Sequence, residues 1–373
     1  MSIRSLYVHF PFCETKCHYC DFYSLGRERT RSGDADTFEA ALRSEAQLAS
    51  ETYDLAPELD TLFFGGGTPS MTPPDSMKRA LEPLWKKTQP SSTAEWTMEA
   101  NPSSVNLETL KGYRSLGVNR VSMGVQSMRD DLLLRLGRVH SRDAALKALD
   151  QIFTAGFDNV SVDLLCGVPQ QNCEDLEEAL QTLTQFPITH LSCYLLTLPR
   201  HHRMYSELPN EDEQLAHLLF LDGWMKDAGF QHYEISNYAR SGRRARHNLA
   251  YWKGDSYLGL GPSAHSFDAS TSTRWKNVSS LHKYSELLRE VKSPLEWSEC
   301  LTEDQKALER WMLALRLDDG FEESWLTRGV QKARAHTLKE TGHLEPHPTR
   351  EGYLRLTARG FALSDQIISS LSG

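Results

Sequence analysis

Three cysteines within eight residues, Cys13, Cys17 and Cys20 in the segment CETKCHYC, are the side chains of this 373-residue chain best suited to chemistry. The C-x3-C-x2-C spacing puts three thiolates on one compact loop, just after the apolar run LYVHF that starts at Leu6. Three thiolates can hold three irons of a cubane cluster and leave the fourth iron open, whereas structural zinc usually takes four closed ligands. No fourth thiolate is near, because the residue two after Cys20 is Phe22. The triplet by itself leaves open a zinc site completed by His9 or His18, or three free thiols. The other four cysteines, Cys166, Cys173, Cys193 and Cys300, are scattered. An odd total with one tight cluster points to metal or redox chemistry in a reducing compartment rather than to a disulfide framework.

A second segment bears on the first. TLFFGGGTPS, from Thr61, sets Gly65, Gly66 and Gly67 in a row at the end of an apolar run and follows them with Thr68. Consecutive residues without Cβ let a ligand approach the backbone closely, and the Thr68 hydroxyl adds a polar contact. A tight strand-to-loop turn is the plainer explanation, but such a turn rarely needs three glycines.

The elements that must carry these residues follow from an alternating pattern. Apolar runs start at Leu6, Thr61, Glu95, Arg120, Asn159 and His190, separated by helix-length stretches such as DTFEAALRSEAQLAS, LETLKGYRSLG, SRDAALKALDQIFTAG and DLEEALQTL. Short β-rich runs alternating with helical patterns predict βαβ units and a parallel sheet buried on both faces. Six units rather than eight predict an α/β fold built as an open, partial (β/α)6 barrel over residues 1–200. Glu99, Gln126 and Asp163 end the third, fourth and fifth runs, where ligands of parallel sheets bind. Residues 201–301 read as a connecting region, with a helix over 208–230 followed by loops and short strands. Residues 302–373 read as a winged-helix-like α+β domain, opened by a capping box at Thr302 and Gln305.

Composition excludes several classes. The chain is 39% hydrophobic and 24% charged with a net charge of −9, as ordinary globular proteins are. No run of about 18 apolar residues occurs, so a spanning helix is not expected. The amino terminus carries no long apolar stretch, which makes a cytoplasmic address the expectation rather than secretion. A winged helix invites a nucleic-acid partner, but residues 302–373 hold ten Lys and Arg against eleven Asp and Glu, without the basic footprint that binding requires.

The cysteine triplet and glycine run together resemble the radical S-adenosylmethionine superfamily. With LYVHFPFCETKCHYCDFYS, MEANP, GVQSM, GRVHS, VDLLCGVP and GLGPSAHS, the resemblance narrows to the line containing oxygen-independent coproporphyrinogen III dehydrogenase and the heme chaperone HemW family, over nearly the whole chain. It implies that Cys13, Cys17 and Cys20 hold a [4Fe-4S] cluster. It further implies that Tyr7, Gly66, Gly67, Thr68, Glu99, Gln126, Arg138 and Asp163 bind S-adenosylmethionine, whose cleavage to a 5′-deoxyadenosyl radical is the superfamily's chemistry. The dehydrogenase carries a further cysteine where Phe22 stands, and a long extension before its cluster; both departures match the chaperones instead. No side chain is therefore assigned a catalytic role.

RHNLAYW, from Arg246 to Trp252, matches the HNxxYW word of the chaperones. The match implies that His247 ligates heme iron while Tyr251 and Trp252 stack on the macrocycle. Arg240, Arg243, Arg244 and Arg246 form a local basic cluster suited to heme propionates. His265, in the PSAHS word, is an alternative facing the S-adenosylmethionine cavity, while His201 and His202 read as solvated. The implied partners are heme, recipient hemoproteins (membrane-bound or soluble) and a second copy of the chain in a dimer organised by the cluster.

Overall fold

The computed structural model describes residues 2–372. All six predicted runs are strands: β1 Ser5–Phe10, β2 Glu58–Gly66, β3 Gln89–Ala100, β4 Arg120–Gln126, β5 Val160–Cys166 and β6 His190–Leu195. They pair in parallel in chain order, as the apolar runs separated by helices require. The crossovers carry α1 Asp34–Thr52, α2 Pro74–Leu81, α3 Leu107–Leu116, α4 Asp130–Leu136, α5 Arg142–Thr154 and α6 Cys173–Leu183. Among them α2 and α4, both short, fall in segments where sequence periodicity gave no helix.

Burial on both faces explains the near-continuous apolar strands. In β5 the one residue that is not fully buried is Asp163, and in the second half of β3 it is Glu99. Each strand thus keeps one polar side chain facing an open space at its carboxyl end. Helix starts are fixed locally. Asn106 and Asn172 cap α3 and α6 by accepting from the amides of Thr109 and Asp175, which returns two otherwise orphaned donors to a partner.

Residues 201–301 do not form a separate connecting layer. After α7, Glu211–Asp227, the strands β7 Gln231–Glu234 and β8 Asn237–Ala239 join the β6 edge antiparallel. The short helix α8, Arg246–Trp252, follows. Strands β9 Tyr257–Leu260, β10 His265–Asp268, β11 Thr273–Asn277 and β12 Leu295–Cys300 then extend the opposite edge, with β9 parallel to β1. One open twelve-stranded sheet results. The helix α9, Leu281–Arg289, lies against α1, and the buried Glu45 of α1 ties the two by accepting from the Tyr284 hydroxyl at 2.6 Å and from the Gly261 amide at 2.7 Å.

Residues from 302 onward have their own core, centred on Trp311, Phe321, Leu354 and Phe361. It comprises α10 Glu303–Ala314, α11 Gly329–Glu340, the small antiparallel sheet of β13 Phe321–Glu322, β14 Leu344–Pro346 and β15 Tyr353–Leu356, then α12 Ala358–Ala362 and α13 Ser364–Ser372. The capping box expected at Thr302 and Gln305 is formed. The unit is fastened to the main sheet by backbone bonds between Ile235 and Arg316 and between Asp318 and Tyr233, and by the Arg244–Asp318 ion pair. Among the described residues no helix is long and apolar enough to cross a membrane.

Candidate functional site

The carboxyl ends of β2 through β6 open into a cavity of about 450 Å³. Its wall includes Cys13, Cys17 and Cys20 from the loop after β1, with Gly66, Gly67 and Thr68 from the end of β2. Glu99, Gln126, Arg138 and Asp163 complete the set that the strand ends were expected to bring together. Tyr7 is the member that does not reach the wall. It lies one layer below, its hydroxyl 3.0 Å from His9 Nδ1 and its ring beside Phe63.

The glycines are required by contact. A Cβ on Gly67 would lie 2.6 Å from the carbonyl oxygen of Phe12, 2.9 Å from that of Phe10 and 3.1 Å from Cys13 Sγ. Those carbonyls accept from the amides of Thr68 and Gly67, both at 2.7 Å, so the cysteine loop is stitched directly to the glycine run. Gly66 has φ 106°, a left-handed value that side-chain-bearing residues rarely adopt. Gln126 holds φ 68° at a register shift between β4 and β5, which turns its side chain into the cavity at the expense of backbone strain.

A chain of hydrogen bonds joins two of the cysteines. Thr68 Oγ1 donates to Cys13 Sγ at 3.5 Å, Asn101 Nδ2 donates to Thr68 Oγ1 at 2.8 Å, and Arg138 Nη2 donates to Asn101 Oδ1 at 2.6 Å. Arg138 Nη2 also donates to the Gly124 carbonyl, and Nη1 to Cys17 Sγ at 3.5 Å. The guanidinium thus ties the cysteine loop to the ends of β3 and β4. Asn101, in the MEANP word, is the functional residue that sequence reasoning passed over; the asparagine just before a proline reads as turn chemistry.

Burial drives the electrostatics. Desolvation, then the nearby Asp163 carboxylate, pushes Glu99 up to about 8, and desolvation likewise raises Asp163. The buried Arg120 offsets part of this charge, and two adjacent carboxyls at one cavity wall suit a positively charged ligand. Burial also pushes the Cys13 and Cys20 thiols up. Three sulfurs facing one cavity beside a guanidinium suit a cluster that holds them as thiolates. Among the described residues no three His, Cys, Asp or Glu side chains close in on a point as a single ion requires. His9 and His18 are engaged elsewhere: His9 Nε2 bonds the Tyr23 carbonyl at 2.8 Å, and His18 Nδ1 lies 2.6 Å from Arg203 Nη2. The residues present thus fit a polynuclear cluster with an adjoining sulfonium ligand better than a zinc ion.

Comparison with known proteins agrees with this geometry. The radical SAM superfamily profile matches residues 7–183. The chain is 35% identical to the heme chaperone HemW of Mycobacterium tuberculosis, over 99% of this chain and 94% of that one. It is 30% identical to the heme chaperone HemW of Bacillus subtilis, over the full length of both. The chain belongs to the heme chaperone HemW family. Among solved structures, coproporphyrinogen III oxidase (HemN) of Escherichia coli, a radical SAM enzyme, superposes with a TM-score of 0.81 over all of this chain and 90% of that one; at 22% identity the likeness concerns the fold.

Within this HemW-family chain the HNxxYW segment lies away from the cavity at the carboxyl strand ends. It forms α8, which plugs the amino-terminal end of the barrel. The Glu95 carboxylate accepts from the Arg246 and His247 amides, both at 3.1 Å, and so caps the helix. The His247 ring is 1% exposed, its Nδ1 2.7 Å from Thr61 Oγ1 and its Nε2 2.7 Å from the Tyr251 hydroxyl, with Phe63 stacked on it. Burial pushes His247 down to about 3, so the ring is neutral. Thr61 and Gly66 are five residues apart on β2, which sets His247 about 16 Å below the cofactor end.

In this structure both His247 ring nitrogens have protein partners in a dry interior, and the ring holds α8 against β2. Tyr251 packs edge-on against Tyr257, and Trp252 lies under Arg316 at the joint with the C-terminal unit. The four arginines scatter as well. Arg240 covers Phe230, Arg243 pairs with Asp158, Arg244 pairs with Asp318, and Arg246 donates to the Thr93 carbonyl. His265 is exposed beside Trp297, outside the cavity, and His202 bonds the His18 carbonyl, while His201 is exposed.

Proposed function

We propose that this protein is a heme chaperone, receiving heme and passing it to recipient hemoproteins, on a radical SAM domain that carries a [4Fe-4S] cluster and S-adenosylmethionine. The observation that carries the reading is the full-length correspondence to HemW relatives, joined to a cavity in which the cysteine triplet meets the glycine run. Cys13, Cys17 and Cys20 hold the cluster. Gly66, Gly67 and Thr68 offer backbone and hydroxyl contacts to S-adenosylmethionine, and Glu99 and Asp163 offset its positive charge, with Gln126 at the rim. When bound, the two groups supply one-electron chemistry at the open iron. Phe22, 67% exposed at the cavity mouth, stands where the dehydrogenase has its further cysteine. The full-length protein, titrated with hemin, is expected to develop a Soret band that saturates at about one heme per chain. Reconstituted protein given coproporphyrinogen III and S-adenosylmethionine is expected to yield no protoporphyrinogen. No Soret change together with porphyrinogen turnover would reverse the assignment in favour of the dehydrogenase.

The charge on Glu99 gives a second test. Its pKa is raised to about 8, so at neutral pH the empty site holds a proton there. A cationic ligand favours the ionised form and expels that proton, and affinity then rises with pH until the group is already ionised near its raised value. S-Adenosylmethionine binding to cluster-loaded protein is expected to tighten by up to about tenfold per pH unit between neutrality and that value. Calorimetry in buffers of different ionisation enthalpy should show Glu99→Gln releasing about one proton fewer than the unmodified chain. Equal release by the two proteins would remove Glu99 from the ligand's charge environment.

A further inference from the structure

One arginine inside the barrel has no counterion of its own. Arg120, the first residue of β4, is 2% exposed; its Nε is buried without a hydrogen-bond partner, and its Nη1 donates to the Thr97 hydroxyl of β3 at 3.5 Å. Among the described residues it makes no ion pair, whereas Arg4, Arg79, Arg129 and Arg244 each contact a carboxylate. A guanidinium keeps its proton at any ordinary pH, so a buried one is a permanent charge that the surrounding fold must balance. Thr97 is the register partner of Arg120, and Glu99 stands two residues farther along β3, opposite Ser122. That is a rise of about 7 Å on the same face of the sheet. Ser122 Oγ in turn donates to Asp163, 3.1 and 3.3 Å from its two carboxylate oxygens. Arg120 therefore lies one layer beneath the two carboxyls of the cofactor cavity, on the side away from the opening.

The other groups around it are neutral or already engaged. His190 bonds the Ser161 and Tyr233 hydroxyls at 2.7 and 2.8 Å, and His247 bonds those of Thr61 and Tyr251. Burial, then the Arg120 charge, holds both imidazoles well below the usual histidine range. Burial, then Glu234, pushes the Tyr233 phenol up, so it too is neutral. The Glu95 carboxylate accepts from the two amides that open α8, and Glu234 on β7 faces Arg316. The charge then has Glu99 and Asp163 to act on. Burial raises both, for Glu99 with help from Asp163, and Arg120 works against the rise in each. In a dry interior a fixed opposite charge is felt strongly even across a layer of side chains.

Resting on the reading of the cavity as an S-adenosylmethionine site, we propose that Arg120 is a positioning residue that acts through Glu99 and Asp163. Its fixed charge keeps the pair able to ionise in a dry wall, and so favours a sulfonium ligand over the neutral thioether left by removing the methyl group. Arg120 itself does not line the cavity. Without it both carboxyls hold their protons more tightly, and a cation must expel them against burial alone. The ligand is repelled by Arg120 less than the carboxylates are attracted, because the carboxylates stand between the two.

The test uses Arg120→Met and Arg120→Lys in the full-length chain, with Arg120→Gln as a second neutral replacement should the methionine protein fail to fold. In the cofactor-free protein the carboxyl band of Glu99, identified by its loss in Glu99→Gln, is titrated by infrared spectroscopy. Its midpoint, about 8 in the unmodified chain, is expected to rise by about one pH unit in the neutral variants and by much less in Arg120→Lys. In cluster-loaded protein, S-adenosylmethionine should bind the neutral variants about tenfold more weakly at neutral pH, and recover as pH rises past the new midpoint. S-Adenosylhomocysteine, which lacks the sulfonium charge, should change by less than about twofold. An unmoved Glu99 midpoint overturns the proposal. So does an equal, pH-independent loss for both ligands, which is what a merely distorted barrel would give. If the unmodified chain binds no S-adenosylmethionine, the cofactor reading falls, and the titration of the cofactor-free chain still decides whether Arg120 governs Glu99.

Discussion

Gly67→Ala is expected to empty the cofactor cavity. The added methyl would lie 2.6 Å and 2.9 Å from two backbone carbonyl oxygens, which are fixed in turn by their bonds to the Thr68 and Gly67 amides. No flexible side chain end can yield there, so the loop carrying Cys13 must move away from β2. Cys13 Sγ itself is only 3.1 Å from the new atom. Overpacking of this kind costs about 1–3 kcal/mol, but the larger effect falls on geometry, since a cubane tolerates little displacement of one of three ligands. After anaerobic reconstitution, iron and sulfide per chain should fall below roughly a tenth of the unmodified level, comparable with a Cys17→Ser protein lacking one of the three thiolates. Full loading of Gly67→Ala would mean that the cluster does not sit against the glycine run.

How much of this was legible in the sequence depends on the range of the forces involved. The six parallel strands could be read because burial on both faces demands near-continuous apolar runs, and their polar ends could be read because those runs stop at Glu99, Gln126 and Asp163. The roles of Asn101 and of α8 could not. Asn101 matters through partners on the turn after β2 and on the segment after α4, which only the fold brings together. The α8 segment is short, and its buried histidine is stabilised by Thr61 and Glu95, more than 150 residues earlier in the chain. The neighbouring arginines read as one basic patch because adjacency in sequence hides direction. In the fold they leave the same loop toward Phe230, Asp158, Asp318 and Thr93. Residues 231–275 read as loops and short strands, but which sheet edge each strand joins could not be read, because strands three to six residues long show little periodicity.

His247→Ala separates the plug from the ligand. Removing the ring leaves the Thr61 hydroxyl and the Tyr251 hydroxyl facing a void, and Phe63 loses the ring stacked on it. A cavity of that size and two orphaned buried polar groups together are expected to lower stability by about 3–5 kcal/mol, read as a lower denaturant midpoint. The strain also reaches the cofactor end, because Phe63 is beside Tyr7 and within 2.9 Å of where a Cβ on Gly65 would lie. S-Adenosylmethionine affinity should therefore weaken in the protein that remains folded. His247→Gln, which retains an amide able to reach both hydroxyls, should recover part of the lost stability. The heme spectrum discriminates most sharply. A purely structural plug leaves the Soret maximum at saturation where it was, per folded chain. A stable His247→Ala protein whose Soret band has lost its imidazole character would return His247 to the iron and require α8 to leave the barrel when heme binds.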